Sequence, residues 1–367
     1  MYRFFMPTEM LAGEISENSG RLKAIGKKAL IVTGKSSKKN GALLDMENAL
    51  KKEGIPYVIF DAIEENPSIE NVFAAAELGR HENIDFLIGI GGGSPMDASK
   101  AISVLVKNPE LKGEALIDGK SYPYYPVIAV PTTAGTGSEV TPYSIVTVHA
   151  KNTKMGISQQ IFPVISFLNP KYMENMPLQV TLSTGVDAFT HLMEGYFSSK
   201  ANFLSDKIAE GGFRGFKDCM EELKEGTISL ETREKLLITS SIAGILISQT
   251  GTSLPHGMGY SLTYHKNVPH GFANNVFIEG YMKLCQRTMA KKVSDLLEIL
   301  GFENIEEMAG YFNSLMDIDI KITKAEIEGY AEEFFENKAK LRNHPAEVSL
   351  EDIKNLYFES LKNYIAQ

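Results

Sequence analysis

Cysteine is scarce in this chain of 367 residues: there are two, Cys219 and Cys285, far apart and neither with another cysteine nearby. Such spacing excludes a disulfide framework and a thiolate metal site. Positive charge is also in deficit, with 37 Lys and Arg against 46 Asp and Glu and a net charge of −9. No basic stripe stands out, so neither nucleic acid nor an anionic membrane is an expected partner. No uninterrupted apolar stretch approaches transmembrane length. The opening "MYRFFMPTEMLAGE" lacks the cationic flank and longer apolar run of a secretory leader. These absences lead to the expectation of a cytoplasmic protein. What remains, 43% hydrophobic and 23% charged residues, is an ordinary globular composition, on a chain long enough for two domains.

Up to about Ala150 the chain alternates short buried-strand patterns with helical ones. "KKALIVTG", "PYVIFDAI", "IDFLIGIGGGS" and "YPVIAVPTT" read as strands, and "GALLDMENALKKEG", "NVFAAAELGRHE" and "PMDASKAISVLV" as helices. Strands separated by helices of this length predict a parallel sheet covered on both faces. After Pro177 the pattern is helical throughout, so the expected domains are 1–175, α/β, and 176–367, all-α. No long linker separates them, and a cleft between the two is expected.

"GIGGGSPMDASK" places Gly91, Gly92, Gly93 and Ser94 where a strand meets a helix. Glycines there let the backbone approach a ligand, and helix N-terminal N–H groups suit a phosphate. The stretch is neither the dinucleotide fingerprint nor a P-loop; alone it is equally a tight turn that needs glycine. A second loop, "PTTAGTGSEVTPYS", also follows a strand and carries Thr132, Thr133, Thr136 and Ser138. Two polar loops at strand carboxyl ends predict a ligand cradle.

Histidine is scarce too, seven in all, yet His256, His265 and His270 fall together in "LPHGMGYSLTYHKNVPHG". Upstream, "STGVDAFTHLMEG" sets Asp187 and His191 at i and i+4, on one helical face, with Glu194 further along the same side. Glycines and Pro269 between His256 and His270 allow the chain to fold back. One carboxylate and three imidazoles suit a divalent transition metal such as Fe(II) or Zn(II). Glu194 either orients a ligand or caps a polar helix face.

With "ENPSIENV", "GGGSPMDASKAIS", "PTTAGTGSEVTPYS", "DAFTHLMEGY", "PHGMGYSLTYHKNVPHGFAN" and the tail "NHPAEVSLEDIKNLY" in order, the chain resembles the iron-containing (group III) alcohol dehydrogenases over nearly its whole length. The resemblance implies a Rossmann-like nucleotide-binding domain, an all-α domain in a dehydroquinate-synthase-like architecture, and a metal in the cleft between them. It implies Asp187, His191, His256 and His270 as the metal ligands, Fe(II) ahead of Zn(II). Gly92, Gly93, Ser94 and Asp97 match the family's pyrophosphate loop and the helix after it, Thr132, Thr133 and Thr136 its second nucleotide loop. Asn66 matches a position near the adenosine and Lys154 one near the nicotinamide ribose. A homodimer is implied by analogy, with the N-terminal segment as the contact.

The chain departs from the family pattern in two places. Relatives often carry a histidine four residues after the third ligand; here Tyr260 stands there, and Tyr260, His265, a ribose hydroxyl or water are the alternatives for proton transfer. NAD-preferring relatives often have an aspartate where this chain has Gly34, followed by Lys35 and Ser36. Loss of an anion and gain of cations favours a phosphorylated ribose, hence NADP(H) over NAD(H). The expected reaction is hydride transfer between a small primary alcohol or diol and nicotinamide, eased by a metal that stabilises the alkoxide. A zinc glycerol dehydrogenase and a dehydroquinate-synthase-like lyase are the rivals.

Overall fold

The computed structural model describes residues 2–151 and 153–366. Two compact units emerge: Phe5–Met176, and a second from Pro177 onward that includes the N-terminal residues up to Phe4.

The first unit holds strands β1 (Glu9–Ala12), β2 (Ala29–Thr33), β3 (Tyr57–Phe60), β4 (Phe86–Gly91), β5 (Val127–Pro131), β6 (Ile145–Val148), β7 (Thr153–Gly156) and β8 (Ile165–Leu168). Its helices are α1 (Ser37–Asn40), α2 (Ala42–Glu53), α3 (Ile69–His81) and α4 (Gly93–Lys107). Six strands form one parallel sheet in the order β1-β8-β5-β4-β2-β3. β2, β4 and β5 are buried along their whole length, as their unbroken apolar runs predict. Alternation splits β2 between two cores. Leu30 and Val32 pack with Val72, Ala76 and Ile102, while Ala29 and Ile31 pack with Met46, Leu50 and Phe167.

The strand order reverses between β2 and β4, so their carboxyl ends open a crevice at the switch point. β1, β8 and the antiparallel hairpin β6–β7 were not among the expected strands. Each is four residues long, as β3 is, but none lies between two helical patterns as β3 does.

The second unit is helical: α5 (Leu178–Tyr196), α6 (Phe203–Lys217), α7 (Met220–Glu225), α8 (Leu230–Thr250), α9 (Leu254–Lys266), α10 (His270–Asn275), α11 (Ile278–Leu300), α12 (Ile305–Ser314), α13 (Lys324–Phe335), α14 (Lys338–Asn343) and α15 (Leu350–Leu361). Side-chain caps start many of them, as Ser229 does for α8, and capping boxes start α6, α13 and α15. α5 is buried on nearly every side from Thr181 onward and packs against α8 and α10. Among the described residues no single helix is long and apolar enough to cross a membrane.

Candidate metal centre and nucleotide loops

α5 carries Asp187 and His191, α9 carries His256, and α10 begins at His270. Gly271 permits this meeting: a Cβ there would strike the Ser183 carbonyl, so only glycine lets α10 lie this close to α5. Asp187 Oδ1 is the focus, 3.3 Å from His256 Nε2 and 3.8 Å from His270 Nε2. Donor atoms of these three residues lie within 4.8 Å of one another. His191 stands beside them, its ring stacked on His256 at 4.2 Å and its Nδ1 4.0 Å from Asp187 Oδ2.

The fit to a divalent cation rests on this geometry. In a tetrahedral site with bonds of ~2.1 Å the donors stand ~3.4 Å apart, close to the two separations around Asp187. His256 Nε2 and Asn274 Oδ1 are buried with no hydrogen-bond partner, which a protein interior rarely tolerates unless something else fills the need. His256 Nδ1 faces away from Asp187 and bonds Glu194 Oε2, so its Nε2 is left to act as the donor. Asn274, fully buried, donates from Nδ2 to Asp187 Oδ1 at 3.1 Å.

Electrostatics follow from the same contacts. Burial works against the Asp187 carboxylate, yet the surrounding imidazoles of His191, His270 and His256 hold its pKa below the usual carboxylate range. Glu194 is lowered likewise, burial being outweighed chiefly by His256. Burial opposes a charged His256, but Glu194 and Asp187 on its two nitrogens raise it to about 9 without a cation; a cation bound at Nε2 would displace the proton there.

Of the two proton-carrier candidates on α9, Tyr260 follows His256 by about one turn, and its ring stacks on His270 at 5.7 Å. His265 lies about two and a half turns from His256, on the opposite face, exposed and stacked on Tyr330. The structure does not bring His265 to Asp187, His256 and His270.

In the α/β unit the two expected loops meet. Gly91 has φ 150°, and a Cβ on Gly92 would stand 3.2 Å from Thr133 Oγ1, one on Gly93 2.9 Å from Thr136 Cγ2. Thr132 N–H donates to the Gly91 carbonyl. Asn66, at φ 57°, donates from its backbone N–H to Ser94 Oγ and accepts from Lys154 Nζ at 2.9 Å. The hairpin explains that reach, since Lys154 pairs with Thr147, whose hydroxyl donates to the Asn66 carbonyl. Burial lowers the Lys154 ammonium to about 8.

Asp97 reaches from α4 to the second loop. One carboxylate oxygen bonds Ser138 Oγ and the other accepts from Ile145 N–H, with Lys100 3.8 Å away, so it ties down the second loop. Gly34, Lys35 and Ser36 follow β2 at the crevice edge, with Lys35 and Ser36 exposed. Lys38 is drawn into an ion pair with Asp61.

Sequence spacing missed Asn274 and Lys100. Asn274 was within reach of it, lying four residues after His270 on the same helical face. Lys100, inside a helix of ordinary amphipathic pattern, gave no signal.

Comparison with known proteins agrees with this geometry. The family profile of iron-containing alcohol dehydrogenases matches residues 7–170, and that of the family's C-terminal region matches 181–361. Lactaldehyde reductase of Escherichia coli K12 is 31% identical, covering 90% of this chain and 91% of its own. 1,3-Propanediol dehydrogenase of Citrobacter freundii is 32% identical over 84% of this chain and 81% of its own. An iron-containing alcohol dehydrogenase from Thermotoga maritima has a solved structure that superposes with a TM-score of 0.92 at 40% identity, covering 99% of this chain and 100% of its own. Neither the lyase nor the glycerol dehydrogenase alternative is favoured by these relatives. The chain belongs to the iron-containing alcohol dehydrogenases and is a metal-dependent, NAD(P)-linked oxidoreductase that interconverts alcohols and aldehydes.

Proposed function

We propose that Asp187, His191, His256 and His270 together hold one divalent cation, Fe(II) ahead of Zn(II), and that the enzyme handles short aldehydes and diols with NADP(H) in preference to NAD(H). The convergence of the His256 and His270 Nε2 atoms on Asp187 Oδ1 carries this reading. A cation there supplies Lewis-acid stabilisation for the negative charge that builds on the substrate oxygen. One carboxylate among three neutral imidazoles leaves the site net positive, which suits that task. Relatives named for lactaldehyde and 1,3-propanediol support a short, polar substrate.

The protein's own groups do the rest. Glycine N–H groups at the start of α4 and the hydroxyls of Thr132, Thr133 and Thr136 take the cofactor diphosphate. Asn66 and Lys154 hold a ribose, and Asp97 shapes the loop rather than touching the cofactor. With Lys38 engaged by Asp61, the preference for NADP(H) rests on Gly34, Lys35 and Ser36. Tyr260, on the His256 side of α9, is the assigned proton carrier; His265 is not. The edge position of β1 and the exposed Phe5 support a homodimer, and two buried free cysteines suit the cytoplasm.

The test is chelation and reloading under anaerobic conditions, following oxidation of reduced nicotinamide with short aldehydes. Activity should vanish with the metal and return with Fe(II) or Zn(II). His270→Ala should lose metal and activity together; wild-type metal content in that variant, by elemental analysis, would overturn the ligand assignment.

A further inference from the structure

Glu194 is buried to 0% exposure, two residues before the end of α5. Its oxygens take three donors from one short segment: Ser253 N–H at 2.7 Å, His256 N–H at 3.4 Å, and the His256 ring Nδ1. Glu194 therefore grips both the backbone and the ring of one proposed ligand. A second brace holds the chain just ahead of that ligand. Asn343, 5% exposed at the end of α14, donates from Nδ2 to the carbonyls of Thr250 at 2.9 Å and Thr252 at 3.1 Å. Its Oδ1 accepts from Ser198 Oγ at 2.9 Å, and its carbonyl accepts from Ser199 N–H. Ser198 Oγ reaches the Thr250 carbonyl as well, and Lys340 Nζ bonds Thr252 Oγ1.

The tail segment Lys340–Asn343 thus ties the end of α5, which delivers Asp187 and His191, to the link that leads into α9 and His256. Asn343 touches none of the proposed ligands, and a helix cap does not require such wiring: α14 has its own N-cap in Asn337. Glu194 fixes the His256 imidazole in ring orientation and tautomer, and Asn343 holds the chain at Thr250 and Thr252 that leads to it, a pairing that core packing does not require.

We infer that Glu194 and Asn343 are positioning residues for the metal centre, both acting through His256: Glu194 on its ring and Asn343 on its backbone. This rests on the metal reading above and extends it to a part of the chain far from the ligands in sequence. The apo protein is titrated with Co(II) against a chelating dye, and the visible Co(II) spectrum is recorded. Glu194→Gln should weaken binding by about 10–100-fold, as loss of an outer partner of a ligating histidine does, and should shift the Co(II) bands. Asn343→Leu should weaken binding in the wild-type background but change nothing when His256 is already alanine.

A merely structural role predicts a lower melting temperature with unchanged affinity and spectrum, and that result overturns the inference. So does an equal loss from Asn343→Leu with or without His256. Should Glu194→Gln fail to fold, the Asn343→Leu pair alone decides by the same two outcomes. Failure of the underlying metal reading looks different: wild-type protein would take up no Co(II), or Asp187→Asn would hold it as tightly as wild type.

Discussion

Each unit buries a cluster of charged groups, and the two clusters are built on opposite plans. In the α/β unit Lys100, with no exposure at all, donates to the Ser138 carbonyl at 2.8 Å, to Ser138 Oγ and to the Tyr143 carbonyl at 2.7 Å. Its neighbour Asp97 has both carboxylate oxygens engaged. All three donors of the ammonium are used, so the cluster is closed. In the helical unit Asp187, His256 and His270 turn their donor atoms toward one another, and His256 Nε2 has no hydrogen-bond partner. That cluster is open toward its own centre. The lesson is general: a buried charge points to a ligand when its unsatisfied valences converge, and to architecture when they are all met internally.

Removing the closed cluster's cation is the harshest challenge to this contrast. Lys100→Met leaves the part-buried Asp97 without its ion partner, and breaking a buried pair costs up to about 3–5 kcal/mol. Urea unfolding should register that loss, while Co(II) affinity at the helical centre stays at the wild-type value. A stability change below about 1 kcal/mol would mean that the knot is dispensable and that satisfaction of valences does not measure structural importance.

How much of each cluster was legible in the sequence follows from the same distinction. The proposed ligands were the easiest residues to pick out, because Asp187 and His191 share a helical face and rare histidines crowd one stretch. Glu194 drew notice only as an extension of that face, since nothing in the spacing told a ligand-orienting carboxylate from a cap. Lys100 was invisible: lysines are mostly solvated, and only the folded loop reveals the carbonyls of Ser138 and Tyr143 that draw it inward. Asn343 opens the tail motif "NHPAEVSLEDIKNLY", but its role was hidden, because tertiary hydrogen bonds and no periodicity join it to Thr250 and Thr252. The sheet's central strands were plain from their apolar runs. β1, β6, β7 and β8 were not: β3 is equally short, but it lies between two helical patterns, whereas these four lack that alternation and their pairing is supplied by neighbours. Asp97 was assigned to the cofactor from its motif; its bonds to Ser138 and to the Ile145 N–H, which tie down the second loop, are tertiary contacts that motif matching cannot see.

A milder test concerns a place where neither plan operates. Gly34 follows β2, and a Cβ there would stand 3.3 Å from the Ile63 carbonyl oxygen at a φ open to any residue, so a side chain fits after a small adjustment. Gly34→Asp would put an anion beside the exposed Lys35 and Ser36. Hydrogen bonds to charged groups are worth about 1.5–3 kcal/mol, so the ratio of kcat/KM for NAD to that for NADP should rise about tenfold or more. An unchanged ratio would remove the adenosine ribose from this corner of the sheet.

The smallest effect is expected from Lys154, which sits between the two plans: half-buried, and partnered by the amide oxygen of Asn66. Burial lowers its pKa to about 8, with Glu65 opposing. A lowered lysine pKa means that the ammonium is present below pH 8 and is lost as pH rises through that value. If the charge helps hold the cofactor, the dinucleotide Kd should be flat below about 8 and climb severalfold above it. Bound cofactor should favour the ammonium and move the upper end of the climb to higher pH, as linkage requires. Lys154→Arg, which stays charged, should flatten the profile. Fluorescence titration of the apo protein with dinucleotide across neutral and alkaline pH measures this without turnover. A wild-type profile with no bend near 8, or an arginine variant with the same bend, would assign Lys154 to the hairpin and not to the cofactor. It would then join Lys100 as a cation whose partners are all the protein's own.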